Sequence, residues 1–260
     1  MKSKALYKIL CLTLALTTIL SISIKANADE CLHWYLKRHK NCSPDFPRES
    51  VEIKNLGAIF IDESLDENNK KLYLTFDAGY ENGNIAKILD ILKAENIPAA
   101  FFLLDNIILK NTDLVIRMAD EGHLVCNHTK NHKNLSCASA AEIEKDLRAL
   151  EAIYQEKTGR EMAKFFRFPE GKYSIDALKH VKELGYTTVF WSFAYDDWDN
   201  HRQPGSEKAI KKVLDNTHNG AIMLFHPTSD TNVEIFPKLI EEWRKQGYTF
   251  GTLNEITLGR

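Results

Sequence analysis

Short apolar runs alternate with segments of helical periodicity from about Asn69 to the end of the chain. Ile85, Ile88, Leu89 and Leu92, for example, recur every three or four residues, as on the buried face of an amphipathic helix. Runs rich in β-branched and aromatic residues predict strands at Leu72–Phe76, Ala99–Leu104, Leu124–Cys126, Phe165–Phe168, Thr187–Ser192, Ala221–Phe225 and Thr249–Leu253. Further helices are predicted through Leu114–Met118, Ile143–Tyr154, Ile175–Val181, Ile210–Val213 and Ile235–Trp243.

Residues typical of helix ends support these boundaries. Ser139 and Glu142 have the spacing of a capping box and predict the start of a long helix. Ser174 is placed to cap the next helix, and Gly122 and Gly185 follow helices where a C-terminal glycine is common.

The alternation of strand and helix repeats about seven times without a break long enough to be a domain linker. Such alternation favours a parallel sheet covered by helices. We therefore predict an α/β fold, a single-domain distorted parallel (β/α) barrel of about seven strands. The alternative is a doubly wound open sheet, although no G-x-G-x-x-G motif follows the first strand.

The N-terminus has the features of a secretory signal peptide. Lys2, Lys4 and Lys8 precede the uncharged run Ile9–Ile24, and small residues alternate at Ala26–Ala28. The run is marginal for crossing about 30 Å of hydrocarbon, so we predict a cleaved signal over residues 1–28. The alternative is an uncleaved anchor, which would attach the protein to a membrane through its N-terminus only. Either interpretation predicts an exported protein, in the cell envelope or an intermembrane space.

Composition and charge exclude several classes of protein. The 260 residues are 44% hydrophobic and 27% charged, which fits a folded globular chain. The formal net charge of −2 would become −6 without residues 1–28, because four lysines and no acidic residue would leave. A nucleic-acid partner is therefore disfavoured. Residues 29–68 are predicted to form an irregular N-terminal arm before the strand–helix domain at 69–260.

Four cysteines follow the predicted signal: Cys31, Cys42, Cys126 and Cys137. Pairs of Cys31 with Cys42 and of Cys126 with Cys137 would each close a short loop. Four cysteines allow three pairings, and the sequence does not choose among them. Reduced thiols are an equal alternative in some envelope compartments.

Polar residues able to do chemistry follow five of the predicted strands. They are Asp77, His128, His132, Arg167, Asp196, Asp197 and His226. Each has an ordinary structural interpretation, such as a turn-forming aspartate or a surface salt bridge. In parallel α/β folds, however, the carboxyl ends of the strands meet at one edge, so these side chains are expected to converge on one site.

Five short motifs along the chain, in the same order as in the family, resemble those of the polysaccharide deacetylases, also called the NodB-homology family or carbohydrate esterase family 4. Residues 75–79, T-F-D-A-G, resemble its first motif, T-F-D-D-G, and 127–132 include its second, H-S/T-x-x-H. Residues 167–171 are similar to its R-x-P-x-G motif, 197–198 to its fourth motif, and 224–226 to its L-x-H motif. The resemblance covers roughly Leu72 to Ile256.

The resemblance implies a role for each matching residue. Asp77 would be the catalytic base and His226 the acid. Arg167 would pair with Asp77, and Asp197 would orient His226. His128 and His132 would bind a divalent cation, namely Zn, Mn or Co. The substrate would contact four further residues. The backbone N–H of Glu170 would bind the oxyanion, Gly171 would lie beside it, and Trp198 and Leu224 would form the wall of the acetyl pocket.

One position departs from the family pattern. Ala78 replaces the second aspartate of the first motif, which is normally a metal ligand, so Asp77 itself is a candidate to contact the metal. The sequence from Thr75 to Gly83 resembles the subgroup that deacetylates N-acetylmuramic acid and so enables muramic δ-lactam formation in spore cortex. A monomeric enzyme acting on peptidoglycan glycan strands is therefore expected. Alternatives are a deacetylase of N-acetylglucosamine units or chitin oligomers, and a non-catalytic cell-wall-binding barrel.

Overall fold

The computed structural model describes residues 31–256, so the predicted signal peptide lies outside the described residues. The strands are β1 Leu32–His33, β2 Lys71–Ala78, β3 Ala99–Leu103, β4 Leu124–Asn127, β5 Phe165–Phe166, β6 Lys172–Tyr173, β7 Thr187–Thr188, β8 Ile222–Phe225 and β9 Thr249–Phe250. The helices are α1 Ser50–Asn55, α2 Asn84–Ala94, α3 Asp105–Lys110, α4 Thr112–Asp120, α5 Ala140–Thr158, α6 Ile175–Glu183, α7 Ser206–Asp215 and α8 Asp230–Lys245.

The main sheet is parallel and has seven strands. Its order is β7-β5-β4-β3-β2-β8, and β9 pairs with the beginning of β2. Helices follow most strands, as the repeated strand–helix pattern predicted. β1 and β6 form a separate antiparallel pair outside this sheet.

The two edges of the sheet are linked by single β-bridges. Ile59 bridges Val189, just after β7, and Ile61 bridges Ala221, just before β8. Phe193 also bridges Met223 of β8. The sheet therefore curls round on itself, which confirms the predicted α/β fold with a distorted parallel barrel.

Several predicted strands are shorter in the structure than the apolar runs that marked them. β5 and β7 have two residues each, although the runs extended to Phe168 and Ser192. After β7 the backbone of Phe190 donates to Ile59 O instead of continuing the ladder. Phe168, Val189 and Phe190 are buried in the core although they lie outside β5 and β7, because burial alone does not require strand pairing.

The segment predicted as an irregular arm contains regular structure and core residues. It carries β1 and α1, and Trp34, Ile53 and Phe60 belong to one hydrophobic core cluster with Phe166 and Phe190. Trp34 stacks on Phe190 with ring centroids 4.6 Å apart. The arm is therefore packed into the fold from residue 31 onward, and the predicted domain bounds remain a prediction.

A disulfide joins Cys31 to Cys137, across a separation of 106 residues. Neither of the short-loop pairs forms, since Cys42 is free and exposed and Cys126 is free and buried. Within residues 31–256, no helix is both long enough and apolar enough to cross a membrane.

Candidate active site

The carboxyl edge of the sheet brings together side chains from four strands. Asp77 lies near the end of β2, His128 follows β4, Arg167 follows β5 and His226 follows β8. Because β2 pairs with both β3 and β8, the β2 carboxylate has neighbours on either side. The convergence expected from the strand ends is therefore present in the structure.

Arg167 is a fully buried cation that faces Asp77. Its Nη1 donates to Asp77 Oδ1 at 2.7 Å, and its Nη2 donates to Thr75 Oγ1 at 2.9 Å. Its Nε donates to Val189 O at 3.1 Å, and its guanidinium lies 4.1 Å from the ring centroid of Phe102. These contacts fix the guanidinium plane, and with it the orientation of the Asp77 carboxylate.

The environment of Asp77 favours the ionised carboxylate. Burial alone would raise its pKa, but the Arg167 guanidinium, with smaller contributions from His128 and His226, holds the pKa below its usual value. Asp77 is therefore an anion at neutral pH and is able to accept a proton.

His128 is a neutral imidazole whose tautomer follows from its contacts. Burial lowers its pKa to about 4. Nδ1 lies 2.9 Å from the carbonyl oxygen of Arg167, which only accepts, so Nδ1 carries the proton. Nε2 therefore keeps its lone pair and faces Asp77 Oδ2 at 3.4 Å. Two acceptors that face each other in this way suit a bound cation.

His132 is carried by a loop with strained but well-anchored backbone. Thr129 and His132 have φ values of 70° and 61°, a left-handed conformation that costs a non-glycine residue about 1–2 kcal/mol. The Thr129 N–H donates to Asn127 Oδ1 at 3.0 Å, and the Lys130 N–H donates to Asp146 Oδ1 at 2.8 Å. The loop holds the His132 ring 5.1 Å from that of His128, centroid to centroid.

The donor set fits a divalent cation held by few protein ligands. Among residues 31–256, no group of three or more His, Cys, Asp or Glu side chains is arranged to hold a metal ion. Ala78 is buried and lines the cleft but offers no ligating atom. His128 Nε2 and the His132 ring remain as nitrogen donors, with Asp77 beside them. A cation there would keep positions open for water and substrate.

A second charged pair involves His226 and Asp197. His226 Nδ1 lies 2.7 Å from Asp197 Oδ1, and the His226 backbone N–H donates to Asp197 Oδ2 at 2.8 Å. Burial alone would lower the pKa of His226, but the Asp197 carboxylate raises it above its ordinary value. His226 is thus suited to carry a proton near neutral pH, and its Nε2 is free to donate it.

One cleft, of about 180 Å³, connects the two pairs. The predicted residues on its walls are Asp77, His128, His132, Trp198 and His226. Tyr80 lines the same cleft and is about half exposed, and Trp198 is slightly more than half exposed. Exposed aromatic rings beside a polar cleft are a common means of binding sugars through their apolar faces.

Five of the predicted residues do not line the cleft. Arg167 and Asp197 lie behind the residues that do, as expected for holding roles. Leu224 is buried beside Phe193, and the exposed Glu170 side chain pairs with Lys172. Gly171 is in contact with the arm: a Cβ there would approach Trp34 and Trp191 to 2.9 Å, and its φ is +64°. The structure therefore gives Gly171 a packing position. Asp196, a sixth residue predicted at a strand end, is exposed and also lies outside the cleft lining.

Several residues of the site were not identified from the sequence. Thr75 accepts from Arg167, Asn232 donates to Asp197 Oδ2, and Thr228 lines the cleft. Thr75 alternates with Asp77 along β2, so strand periodicity was a usable signal for it. Asn232 lies in the first turn of α8, where nothing in the local pattern distinguishes it from an ordinary helix-start residue.

Comparison with known proteins identifies the family. The sequence profile of polysaccharide deacetylases matches residues 64–189. The peptidoglycan-N-acetylmuramic acid deacetylase PdaA of Bacillus subtilis is 34% identical over 234 residues, which are 89% of this chain and 88% of that protein. The chain belongs to the polysaccharide deacetylase family. A peptidoglycan-N-acetylglucosamine deacetylase of Bacillus cereus is 31% identical over 76% of this chain and 92% of its own length.

The fold of the polysaccharide deacetylase family is shared as well. The solved structure of Bacillus subtilis PdaA, a family 4 carbohydrate esterase, superposes with a TM-score of 0.82 at 34% identity. The match covers 87% of this chain and 97% of that one. The family resemblance seen in the five motifs is therefore confirmed over most of the protein.

Proposed function

We propose that this protein is a hydrolase that removes the N-acetyl group from N-acetylmuramic acid residues of peptidoglycan, with the help of a divalent cation. The observation that carries the proposal is that Asp77, paired with Arg167, and His226, paired with Asp197, line one cleft. Amide hydrolysis needs a base for the attacking water and an acid for the leaving amine. The similarity to PdaA supports muramic acid as the substrate.

In this mechanism the Asp77 carboxylate would accept a proton from the attacking water as its oxygen bonds to the acetyl carbon. Bound at His128 and His132, the cation would supply a Lewis acid for the acetyl carbonyl. The backbone N–H of Glu170 would add a hydrogen bond to the developing oxyanion, a role implied by the family motif. This role uses the main chain, so it is compatible with the Glu170–Lys172 side-chain pair.

The second step of the reaction would use the other pair. The tetrahedral carbon loses its bond to nitrogen, and His226 would give the Nε2 proton to the departing amine. Asp197 would hold the imidazole through Nδ1 during this transfer. The products are acetate and an amino sugar, on which the amine lies near the lactyl carboxyl group of muramic acid. Closure of these two groups, with loss of one water, would give the δ-lactam of spore cortex.

Acetate release tests the proposal. Purified protein would be incubated with intact peptidoglycan, amidase-treated peptidoglycan and chitin oligomers, each with added Zn²⁺, Mn²⁺, Co²⁺ or a chelator. We expect acetate from amidase-treated peptidoglycan with at least one metal and none with the chelator. No acetate from any substrate with any metal would contradict the proposal.

A deacetylase of N-acetylglucosamine units is the second candidate, favoured by the similarity to the Bacillus cereus enzyme. Mass analysis of the digested muropeptides distinguishes the two, because only the sugar attacked exchanges an acetyl group for hydrogen. A non-catalytic wall-binding barrel is tested by Asp77→Asn. The substitution should abolish acetate release and leave glycan binding intact if the protein is an enzyme.

The proposed place of action is outside the cytoplasm, in the cell envelope or a spore intermembrane space. The basis is the signal-like pattern of residues 1–28. The disulfide between Cys31 and Cys137 supports it, because such bonds persist in oxidising compartments. We expect the protein to act there as a monomer.

A further inference from the structure

A buried amide lies behind the acid pair of the cleft. Asn232, in the first turn of α8, is fully buried and has no part in the mechanism described above. Its Nδ2 donates to Asp197 Oδ2 at 2.7 Å and to the backbone oxygen of His226 at 3.0 Å. One side chain thus ties the carboxylate to the backbone that carries the imidazole.

The orientation of this amide is determined by its neighbours. Asp197 Oδ2 and His226 O are both acceptors, so the NH₂ group of Asn232 must face them. The Asn232 Oδ1 atom then accepts the hydroxyl proton of Tyr195 at 2.5 Å. The backbone N–H of Asn232 donates to Ser229 Oγ, which caps α8. A rotated amide would place its oxygen against two other acceptors, so a single orientation is stable.

This arrangement assigns a separate task to each oxygen of Asp197. Oδ2 accepts from the Asn232 amide and from the His226 backbone, and Oδ1 is left for the imidazole Nδ1–H. Without Asn232 the buried carboxylate would lose one of three donors and would be free to turn. The imidazole would then lose the fixed direction of its Nε2 toward the cleft.

We propose that Asn232 is a positioning residue for the acid of the reaction. It holds the Asp197 carboxylate and the His226 backbone in the one arrangement that aims the imidazole proton at the leaving amine. Tyr195 acts one contact further away, by fixing the orientation of the Asn232 amide. The inference rests on the proposed function, because the recipient of the proton is the amine of the substrate.

Two substitutions separate positioning from folding. Asn232→Leu keeps a similar volume and removes both donors. Tyr195→Phe removes only the hydroxyl that fixes the amide. The matched control is Thr217→Val, between α7 and β8, where the buried hydroxyl accepts from Trp243 Nε1 at 2.9 Å and donates to Val213 O at 2.9 Å. It removes buried hydrogen bonds without touching the cleft.

Steady-state acetate release gives the first readout. Asn232→Leu should lower kcat about tenfold to a hundredfold, the loss expected for one hydrogen bond to a charged group, and leave KM within about twofold. Tyr195→Phe should lower kcat about twofold to tenfold, as for a neutral hydrogen bond. Thr217→Val should lower Tm and leave kcat unchanged. If Asn232→Leu loses Tm but keeps kcat, as the control does, the inference is overturned.

An NMR readout needs no substrate. The Nδ1 proton of His226, held against Asp197 at 2.7 Å, should give a downfield resonance in the wild type and in Thr217→Val. The resonance should broaden or vanish in Asn232→Leu, and its retention there would overturn the inference. Should Asn232→Leu not fold, the same comparison is made with Tyr195→Phe. If the wild type releases no acetate, the proposed function fails and the resonance alone decides the inference.

Discussion

Replacing Arg167 with methionine would leave the Asp77 carboxylate buried without its cation. Arg167 is fully buried and the Asp77 side chain is only 10% exposed, so water on the cleft side would replace the guanidinium poorly. Breaking a buried pair by removing one partner costs about 3–5 kcal/mol. The hydroxyl of Thr75 and the carbonyl of Val189 lose donors in the same substitution. We therefore expect the free energy of unfolding to fall by about 3–5 kcal/mol, a large part of a typical 5–15 kcal/mol.

The measurement is urea unfolding at neutral pH, followed by tryptophan fluorescence, for Arg167→Met, Asp77→Asn and the double variant. Because Asp77→Asn removes the uncompensated carboxylate, the double variant should be more stable than Arg167→Met by about 1 kcal/mol or more. Arg167→Lys keeps a positive charge but loses the planar guanidinium with its several donors. Its stability should therefore lie between those of the wild type and Arg167→Met. A cost below about 1 kcal/mol for Arg167→Met, or no recovery in the double variant, would refute the reasoning.

Three further predictions concern charge and sugar binding. Asp197→Asn should lower the pKa of His226, because the Asp197 carboxylate raises it. The loss of activity on the alkaline side should then move to lower pH, and an unchanged pH–rate profile would count against the acid role. Burial lowers the pKa of His123 from 6.5 to about 4. As the pH falls below 6.5, His123 is therefore protonated in the unfolded chain before it is protonated in the folded one. The fold should thus lose up to about 3 kcal/mol by pH 4, and thermal melts of His123→Asn should show a flatter pH dependence. Tyr80→Ala should raise KM for glycan strands, whereas Tyr35→Ala, an equally exposed ring that does not line the cleft, should not.

The strand-end residues could be predicted because parallel sheets impose a simple rule. Each strand of a parallel barrel delivers its last residues to the same edge, so Asp77, Arg167 and His226 meet although they lie far apart in sequence. The capping box at Ser139 and Glu142 was equally local and is confirmed. The capping box depends on contacts within one helix, and the meeting of the strand ends follows from the parallel direction of the strands.

Contacts between distant segments could not be predicted in this way. The pairing of Cys31 with Cys137 depends on where β1 meets the loop after β4, and neither position is encoded in local periodicity. Asn232 is reached from Asp197 only through the tertiary fold, across 35 residues. Gly171 matched a motif position, but its need for glycine comes from two tryptophans in other segments.

The bridges at Ile59 and Ile61 join the segment before β2 to residues beside β7 and β8. The barrel therefore cannot close until β8 is in place, and until then the earlier strands keep an open edge. Long-range pairing of this kind slows folding and leaves unpaired backbone exposed to other chains. A shortened protein that begins at β2 would carry that open edge permanently, and aggregation would be its expected fate.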